Sequence, residues 1–490
     1  MILRELDASP RVLRQLAASR PGRYPVLFDS AAEGPLSSRS VLVAQPTGAL
    51  WLDAQGHLHT QGAVPAQVAG PGGGFLAALA RWIGAAHPEP RPAGPASRRP
   101  ESLPVILSTA RPSAELGLPF AGGWAVFLGY EIAAEVEPRL VLPRASAAHA
   151  WQAFALRVPC AIVHDTLAGR VQAIAEEGAA AALDAIESDI RGLTESGSDC
   201  AAAPEPLAVA SIVEENPAAY LERVRRGKDY IRAGDIYQTN LSRPWQVTLR
   251  NDADIARLYE CLRTVNPAPF AALAQWRGTT LLSSSPERLV RVAGRRIETR
   301  PIAGTRPRSR EPGADQREMA ALVAHPKERA EHIMLIDLER NDLGRVCEPG
   351  SVRVDELMCI ESYAHVHHIV SSVTGMLRPE VTPLAALRAV FPGGTITGCP
   401  KYRCMEIIAE LEGEARGAYT GSLGLLGRDG SMDFNILIRT MTLTGRHIGF
   451  RAGAGIVADS DPERELEETR AKARGLLAAF GEVPRAGAAA

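Results

Sequence analysis

Phe391-Pro-Gly-Gly-Thr-Ile-Thr-Gly-Cys-Pro-Lys401 runs directly into Tyr402-Arg-Cys-Met-Glu-Ile-Ile-Ala-Glu-Leu411. Residues 392–401 hold three glycines and two prolines. Met405, Ile408 and Leu411, with Ile407 beside them, then follow helical spacing. Pro400 is expected in the first turn of that helix, where a missing N–H loses no hydrogen bond. The stretch therefore reads as a glycine-rich loop delivering a helix N-terminus. Exposed N–H groups and the helix dipole at such an end attract a phosphate or a carboxylate. An ordinary loop-to-helix junction carries the same local pattern, so the residues around it decide.

Working outward, the chain has 490 residues, 46% hydrophobic and 22% charged, with a formal net charge of −2. That is the balance of a globular protein with a large core and two or more lobes. The near-zero charge leaves no footprint for nucleic acid or an anionic membrane. No apolar run approaches the roughly 20 residues of a membrane span. Met1-Ile-Leu-Arg-Glu-Leu-Asp7 lacks the apolar centre of a signal peptide. The seven cysteines are scattered and form no Cys-x-x-Cys pair, which argues against a zinc site or a disulfide framework. A reducing cytoplasm is the expected compartment.

Val26-Leu-Phe28 and Ser40-Val-Leu-Val-Ala44 read as short strands between turn residues. A helix is expected over 75–85, and a proline- and arginine-rich linker or insertion over 86–102. Phe120 to Tyr130 reads as a buried strand with glycine punctuation, and Glu176 to Leu193 as an alanine-rich helix. The small, polar stretch 194–206 marks a boundary, giving an N-terminal lobe over 1–200 and a second domain over 205–485. Asn216-Pro217 caps a helix that runs to Ala233. Thr279 to Ser285 is a strand ending at Pro286-Glu287-Arg288, and Arg306 to Arg317 reads as a charged loop. Strands and helices mix without regular alternation, so the class is α+β or mixed α/β.

Two carboxylate pairs stand out. Glu328 and Glu331 follow Pro326 three residues apart, and so share one face of a helix. Glu465 and Glu468 follow Asp461-Pro462 with the same spacing, and Lys472 lies one turn on. Beside them Leu466, Thr469, Ala473, Leu477 and Phe480 form a buried stripe. Oxygen ligands on two helices suit a hard divalent cation, although solvated surface glutamates have the same spacing. Gly453-Ala-Gly455-Ile-Val-Ala458 fits a dinucleotide fingerprint, but Asp459-Ser-Asp-Pro462 separates it from its helix. Close backbone approach to some other ligand explains these glycines better.

Taken together, residues from about 215 to 480 resemble the catalytic domain of the chorismate-utilising enzymes. The stretches that carry the resemblance begin with Gly234-Asp-Ile-Tyr-Gln-Thr-Asn-Leu241, Ser284-Ser-Pro-Glu-Arg288 and Arg300-Pro-Ile-Ala-Gly-Thr-Arg306. Glu331-His-Ile-Met-Leu-Ile-Asp-Leu338, Arg340-Asn-Asp-Leu343, His368-Ile-Val-Ser371 and the loop 392–401 follow. Ile438-Arg-Thr440, Gly453-Ala-Gly455 and Glu468-Thr-Arg-Ala-Lys472 complete the series in the same order. The N-terminal part matches more weakly, through Phe28-Asp-Ser30 and Gly122 to Tyr130.

The resemblance implies two stacked antiparallel sheets flanked by helices, with both chain halves contributing, and chorismate as substrate. It implies Mg²⁺ between Glu331 and Glu468, with Glu328 and Glu465 holding it through water. Arg439, Tyr419, Gly304, Thr305, Gly453, Gly455 and Lys472 would bind substrate, with Thr395 and His368 along the ring. Glu287 matches the family's general acid. Where water-adding relatives look to carry a lysine base, this chain has Gln238, which points to ammonia as the nucleophile. No nucleophile-elbow cysteine is present, so ammonia is expected from a separate glutamine amidotransferase subunit. Within the amine-adding branches, Ala303 stands where aminodeoxychorismate synthases often carry lysine, and matches anthranilate synthases. The loop Pro392 to Gly398 and Phe28-Asp-Ser30 instead resemble the aminodeoxychorismate branch, which is the expected assignment.

Overall fold

The computed structural model describes all residues except 33, 35, 37, 71, 87–121, 145–149, 195–203, 309–310, 325, 363–365 and 482–490. The side chains of 194, 305–307, 312, 323, 326–327 and 366 are likewise outside the description. The expected linker therefore lies outside the described residues from 87 onward, as does most of the expected boundary.

Two antiparallel sheets are stacked face to face. The first runs Ile2–Leu6, Arg170–Ala175, Cys160–Asp165, Arg39–Ala44, Val26–Asp29, Phe270–Trp276, Thr279–Ser285, Thr440–Thr444, His447–Ile456, Gln238–Leu249, Val209–Glu214. The second runs Ile302–Pro307, Val366–Met376, Arg296–Thr299, Arg288–Ala293, Met432–Asn435, Ser422–Gly427, Gly123–Leu128, Ala153–Val158, Gly48–Leu52, Leu58–Gly62. Each sheet thus passes without a break from strands of the N-terminal part to strands of the C-terminal part. The joins are Val26–Asp29 against Phe270–Trp276 and Gly123–Leu128 against Ser422–Gly427.

The central strands are apolar on both faces because both faces are covered. On Phe270–Trp276, Ala272 and Ala274 face the other sheet while Leu273 faces the helices outside. Val43 and Leu281 meet Trp51, Phe127, Phe154 and Leu425 between the sheets. Outside the first sheet pack helices Arg11–Ser19, Ala180–Thr194, Ile255–Val265 and Pro462–Leu477. Outside the second pack Phe75–Ala86, Pro326–Gly344 and Pro383–Val390. No helix among the described residues is long and apolar enough to cross a membrane.

Phe154 anchors the layer between the sheets. Its ring centroid lies 5.5 Å from Phe127, 4.9 Å from Trp151 and 5.3 Å from Trp276. Phe154→Ala is expected to cost about 3–5 kcal/mol, through lost transfer energy plus a cavity. An unfolding free energy, from denaturant melts, that falls by less than about 1 kcal/mol would show that the layer repacks.

Some expected boundaries move. The alanine-rich helix begins at Ala180, because Gly178 holds φ +88° just before it. The charged loop gives way to a helix over Pro312–Ala324. Pro400 stands at the N-cap, one residue outside the helix Lys401–Glu412. The loop before it contains a single turn over Gly394–Ile396 and a two-residue strand, Gly398–Cys399, that pairs with Gln238 and Thr239.

Candidate active site

The site collects residues from the ends of strands. Pro286 cannot continue the ladder of Thr279–Ser285, and the chain turns there. The Glu287 N–H donates to Ser285 Oγ at 3.2 Å, and the Ile436 N–H donates to the Glu287 carbonyl at 3.0 Å. This fixes the Glu287 backbone and leaves its carboxyl buried. Burial pushes the Glu287 pKa up to about 7 against the opposing pull of Thr395, the Ile302 N–H, Lys472 and Arg439. Thr395 faces it without closing a well-formed hydrogen bond, since Glu287 Oε1 and Thr395 Oγ1 are both buried without a partner. Arg288 pairs with Asp433 at 3.0 Å and Glu298 at 3.7 Å. Glu287 is thus no structural partner of its neighbour.

Arg439 adopts a left-handed backbone at φ +50°. Ser284 holds that conformation by donating its N–H and hydroxyl to the Arg439 carbonyl, at 3.1 and 3.2 Å. Non-glycine residues in this region are uncommon and gather at functional sites. Burial lowers the Arg439 pKa, the opposing charge is that of Glu287, and no ion pair to Arg439 forms among the described residues. His368, on Val366–Met376, is buried, and burial with Arg439 close by drives its pKa down to about 3.

The glycines of His447–Ile456 are where neighbours crowd in. A Cβ on Gly453 would stand 2.7 Å from Tyr419 Oη and 2.8 Å from Asn240 Oδ1, and one on Gly455 would strike the Gln238 amide. Lys472 donates to the Gly453 carbonyl at 2.9 Å and pairs with Glu468 at 2.8 Å. Gln238 Oε1 and Asn240 Oδ1 are buried without a partner. Buried polar atoms normally find one, so these two mark a polar lining. Helix Pro462–Leu477 starts well after the glycines, so no dinucleotide turn is formed.

The acidic pairs sit on helices as expected. Asp461 caps the helix of Glu465 and Glu468, accepting from the Arg464 N–H at 3.0 Å. Glu465 is buried, and Glu468 is half-exposed against Lys472. Gly304 has φ +68°, and a Cβ there would lie 2.9 Å from Glu328 Oε2, so a side chain is excluded on both counts. Ala303 pairs with Ile369 just before a bulge that ends at Thr305, whose side chain is outside the described residues. Among the described residues no three His, Cys, Asp or Glu side chains close into a metal cage. Mg²⁺ takes one or two carboxylates and completes its shell with water and substrate oxygens, so one glutamate from each helix would be the protein's share of such a site.

Several residues around the site escaped the sequence reading. Glu339 follows Glu328 by eleven residues, three helical turns, and so shares its face. Burial and the neighbouring Asp342 push its pKa up to about 8. His367 binds Asp315 at 2.9 Å and Ser362 at 2.7 Å, fastening the unexpected helix Pro312–Ala324 to the sheet. Asp29, named in the sequence as part of Phe28-Asp-Ser30, lies apart from these and accepts from Arg263 at 2.9 Å, Ser40 at 3.0 Å and Tyr259 at 3.2 Å.

Comparison with known proteins bears on the family and the fold. A family model described as chorismate binding enzyme matches residues 88–478. An anthranilate synthase component I-like protein of Synechocystis is 49% identical over 263 residues, 53% of this chain and 54% of that protein. The match thus spans about half the length of that relative. Anthranilate synthase component 1 of Streptomyces coelicolor is 43% identical over 387 residues, 76% of this chain and 75% of its own. The crystal structure of anthranilate synthase component I from Streptococcus pneumoniae superposes with a TM-score of 0.73 at 29% identity, covering 90% of this chain and 92% of that one. The fold, the clustered strand-end residues and the extent of these matches lead to one conclusion: the chain belongs to the chorismate binding enzyme family.

Proposed function

We propose that this chain is the chorismate-aminating subunit of a two-component synthase and that it forms 4-amino-4-deoxychorismate. The observation that carries the amination reading is a buried, protonatable Glu287 within electrostatic reach of Arg439, a cation that forms no ion pair among the described residues. Arg439 can take a substrate carboxylate bidentately, with Tyr419 Oη and the Gly455 backbone beside it. Lys472 adds positive charge, while Thr395 and His368 border the ring. Glu287, as the acid, gives its proton to the C4 hydroxyl, which departs as water. Gln238 has no basic lone pair to activate water, whereas ammonia brings its own. Ala303 offers no amine, so ammonia attacks the ring directly. Glu331 and Glu468, with Glu328 and Glu465 behind them, would hold Mg²⁺, whose contribution is to orient the substrate and polarise it. A glutamine amidotransferase partner is the proposed source of ammonia.

A second reading, anthranilate formation with loss of pyruvate, is favoured by the names of the relatives, which are anthranilate synthase components. Ala303 favours it too. Two observations support the first reading instead. Phe28-Asp29-Ser30 departs from the Leu-Leu-Glu-Ser signature that anthranilate synthases use for tryptophan feedback, and Asp29 is engaged in an internal ion pair with Arg263. His368, with a pKa near 3, is a weak base for the proton removal that pyruvate loss needs.

Product analysis decides. Incubated with chorismate, Mg²⁺ and an ammonium salt, the chain is expected to consume chorismate and retain the enolpyruvyl group. Addition of an aminodeoxychorismate lyase should then release 4-aminobenzoate. Glutamine should substitute for ammonium only with an amidotransferase present. Fluorescent anthranilate with stoichiometric pyruvate, formed without any lyase, would establish the second reading.

A further inference from the structure

Arg416 is almost wholly enclosed, yet all its donors are engaged. Its guanidinium donates to Glu412 at 2.7 and 3.0 Å, to the Asn240 carbonyl at 2.7 Å and to the Ile396 carbonyl at 3.1 Å. Its own N–H donates to Glu131 Oε1 at 2.7 Å, and the Gly417 N–H donates to Glu131 Oε2 at 3.1 Å. The guanidinium lies over the rings of Tyr130 at 4.9 Å and Tyr419 at 5.5 Å. Burial pushes Glu412 upward, but Arg416 and Arg451 override it and hold its pKa down at about 2. Glu412 therefore stays charged and fixes the fork from behind, itself gripping Ser242 through N–H and hydroxyl at 2.8 and 2.9 Å.

Each contact leads to a different part of the site. Ile396 adjoins Thr395, and Asn240 lies on the strand that begins at Gln238. Tyr419 is three residues on, while Tyr130 and Glu131 belong to the N-terminal part. A planar fork with five donors can serve several acceptors at once, and lysine cannot. We propose that Arg416 is a positioning residue that ties the N-terminal part of the chain, through Tyr130 and Glu131, to the glycine-rich loop, the Gln238 strand and Tyr419. Its effect on turnover rests on the amination reading above, but its effect on local order does not.

The test uses the full chain carrying Arg416→Lys or, as the milder change, Glu131→Gln. Hydrogen–deuterium exchange should rise in residues 392–401 and 238–241 and stay unchanged in strands such as Ala153–Val158. With chorismate and ammonium, kcat should fall about tenfold to a hundredfold, the scale of misplacing groups by an ångström. The groups facing Glu287 are Thr395, Arg439, Lys472, Glu339 and Tyr419. Of these, Thr395 lies within the turn Gly394–Ile396, whose last carbonyl Arg416 holds. Loosening it changes both the enclosure of Glu287 and the pull of Thr395 on it, so the alkaline limb of kcat/KM should move away from about 7. Unchanged exchange in both segments, exchange raised uniformly across the sheets, or a lower rate with an unmoved limb would each overturn the proposal. If the wild-type chain leaves chorismate intact, the amination reading fails, and the exchange pattern alone decides the role of Arg416.

Discussion

Glu287→Gln is expected to lower the rate of chorismate amination about a hundredfold or more, the usual contribution of a positioned general acid. Glutamine keeps the shape of the side chain and can still donate an N–H, but it has no proton to deliver to a departing hydroxyl. The position is built for the acid form. Glu287 is enclosed, its backbone is pinned by Ser285 and Ile436, and burial outweighs Arg439 and Lys472 so that it titrates at about 7. The sign of the pH dependence follows. Below that value the carboxyl carries its proton and the acid is competent. As pH rises through it the proton is lost, so kcat/KM, which reports the free enzyme, should fall with an alkaline limb near 7. The Gln variant should be slow at every pH and lack that limb. Chorismate affinity should change little, because Arg439 and Tyr419 are untouched. A Gln variant with normal turnover would make Glu287 a structural residue.

The parts of the site that were legible beforehand are those set by local rules. Pro286 ends a strand wherever the sheet lies, so Glu287 at a strand end could be read directly. Glu328 with Glu331, and Glu465 with Glu468, are placed by helical spacing alone, and both helices form over those residues. The stacked sheets followed from the family resemblance, and the strand order could not be read from local pattern. Asp29 pairs with Ala271 across more than two hundred residues, and nothing in either segment names the other. Arg416 and Glu131 were missed for the same reason, being 285 residues apart. Charged residues of this kind are by default solvated, and only the assembled fold encloses them. The helix Pro312–Ala324 was missed because its first residues continue a run of charge. Pro312 at its start and Asp315 in its first turn are the signals that would have found it.

Replacing Glu331 or Glu468 by Gln is expected to abolish Mg²⁺-dependent turnover while leaving the fold intact. The two residues lie on different helices, Pro326–Gly344 and Pro462–Leu477, so neither substitution removes the other helix's oxygens. Gln keeps an oxygen but loses the negative charge that a hard cation selects. The effect should exceed the roughly 10–100-fold that loss of an outer-shell partner costs, and Glu328→Gln or Glu465→Gln should fall within that range. Glu468 carries a second consequence. Its carboxylate is the partner of Lys472, which also donates to the Gly453 carbonyl. Glu468→Gln therefore frees a cation at the substrate end, and chorismate affinity should change there more than in Glu331→Gln. Binding is readable without turnover, since Mg²⁺ that binds the native state raises its melting temperature by an amount that grows with the logarithm of its affinity. Wild type should show that rise and both variants should lose it, with circular dichroism unchanged. Near-full activity of both variants at saturating Mg²⁺, with the melting response retained, would remove these glutamates from the metal site.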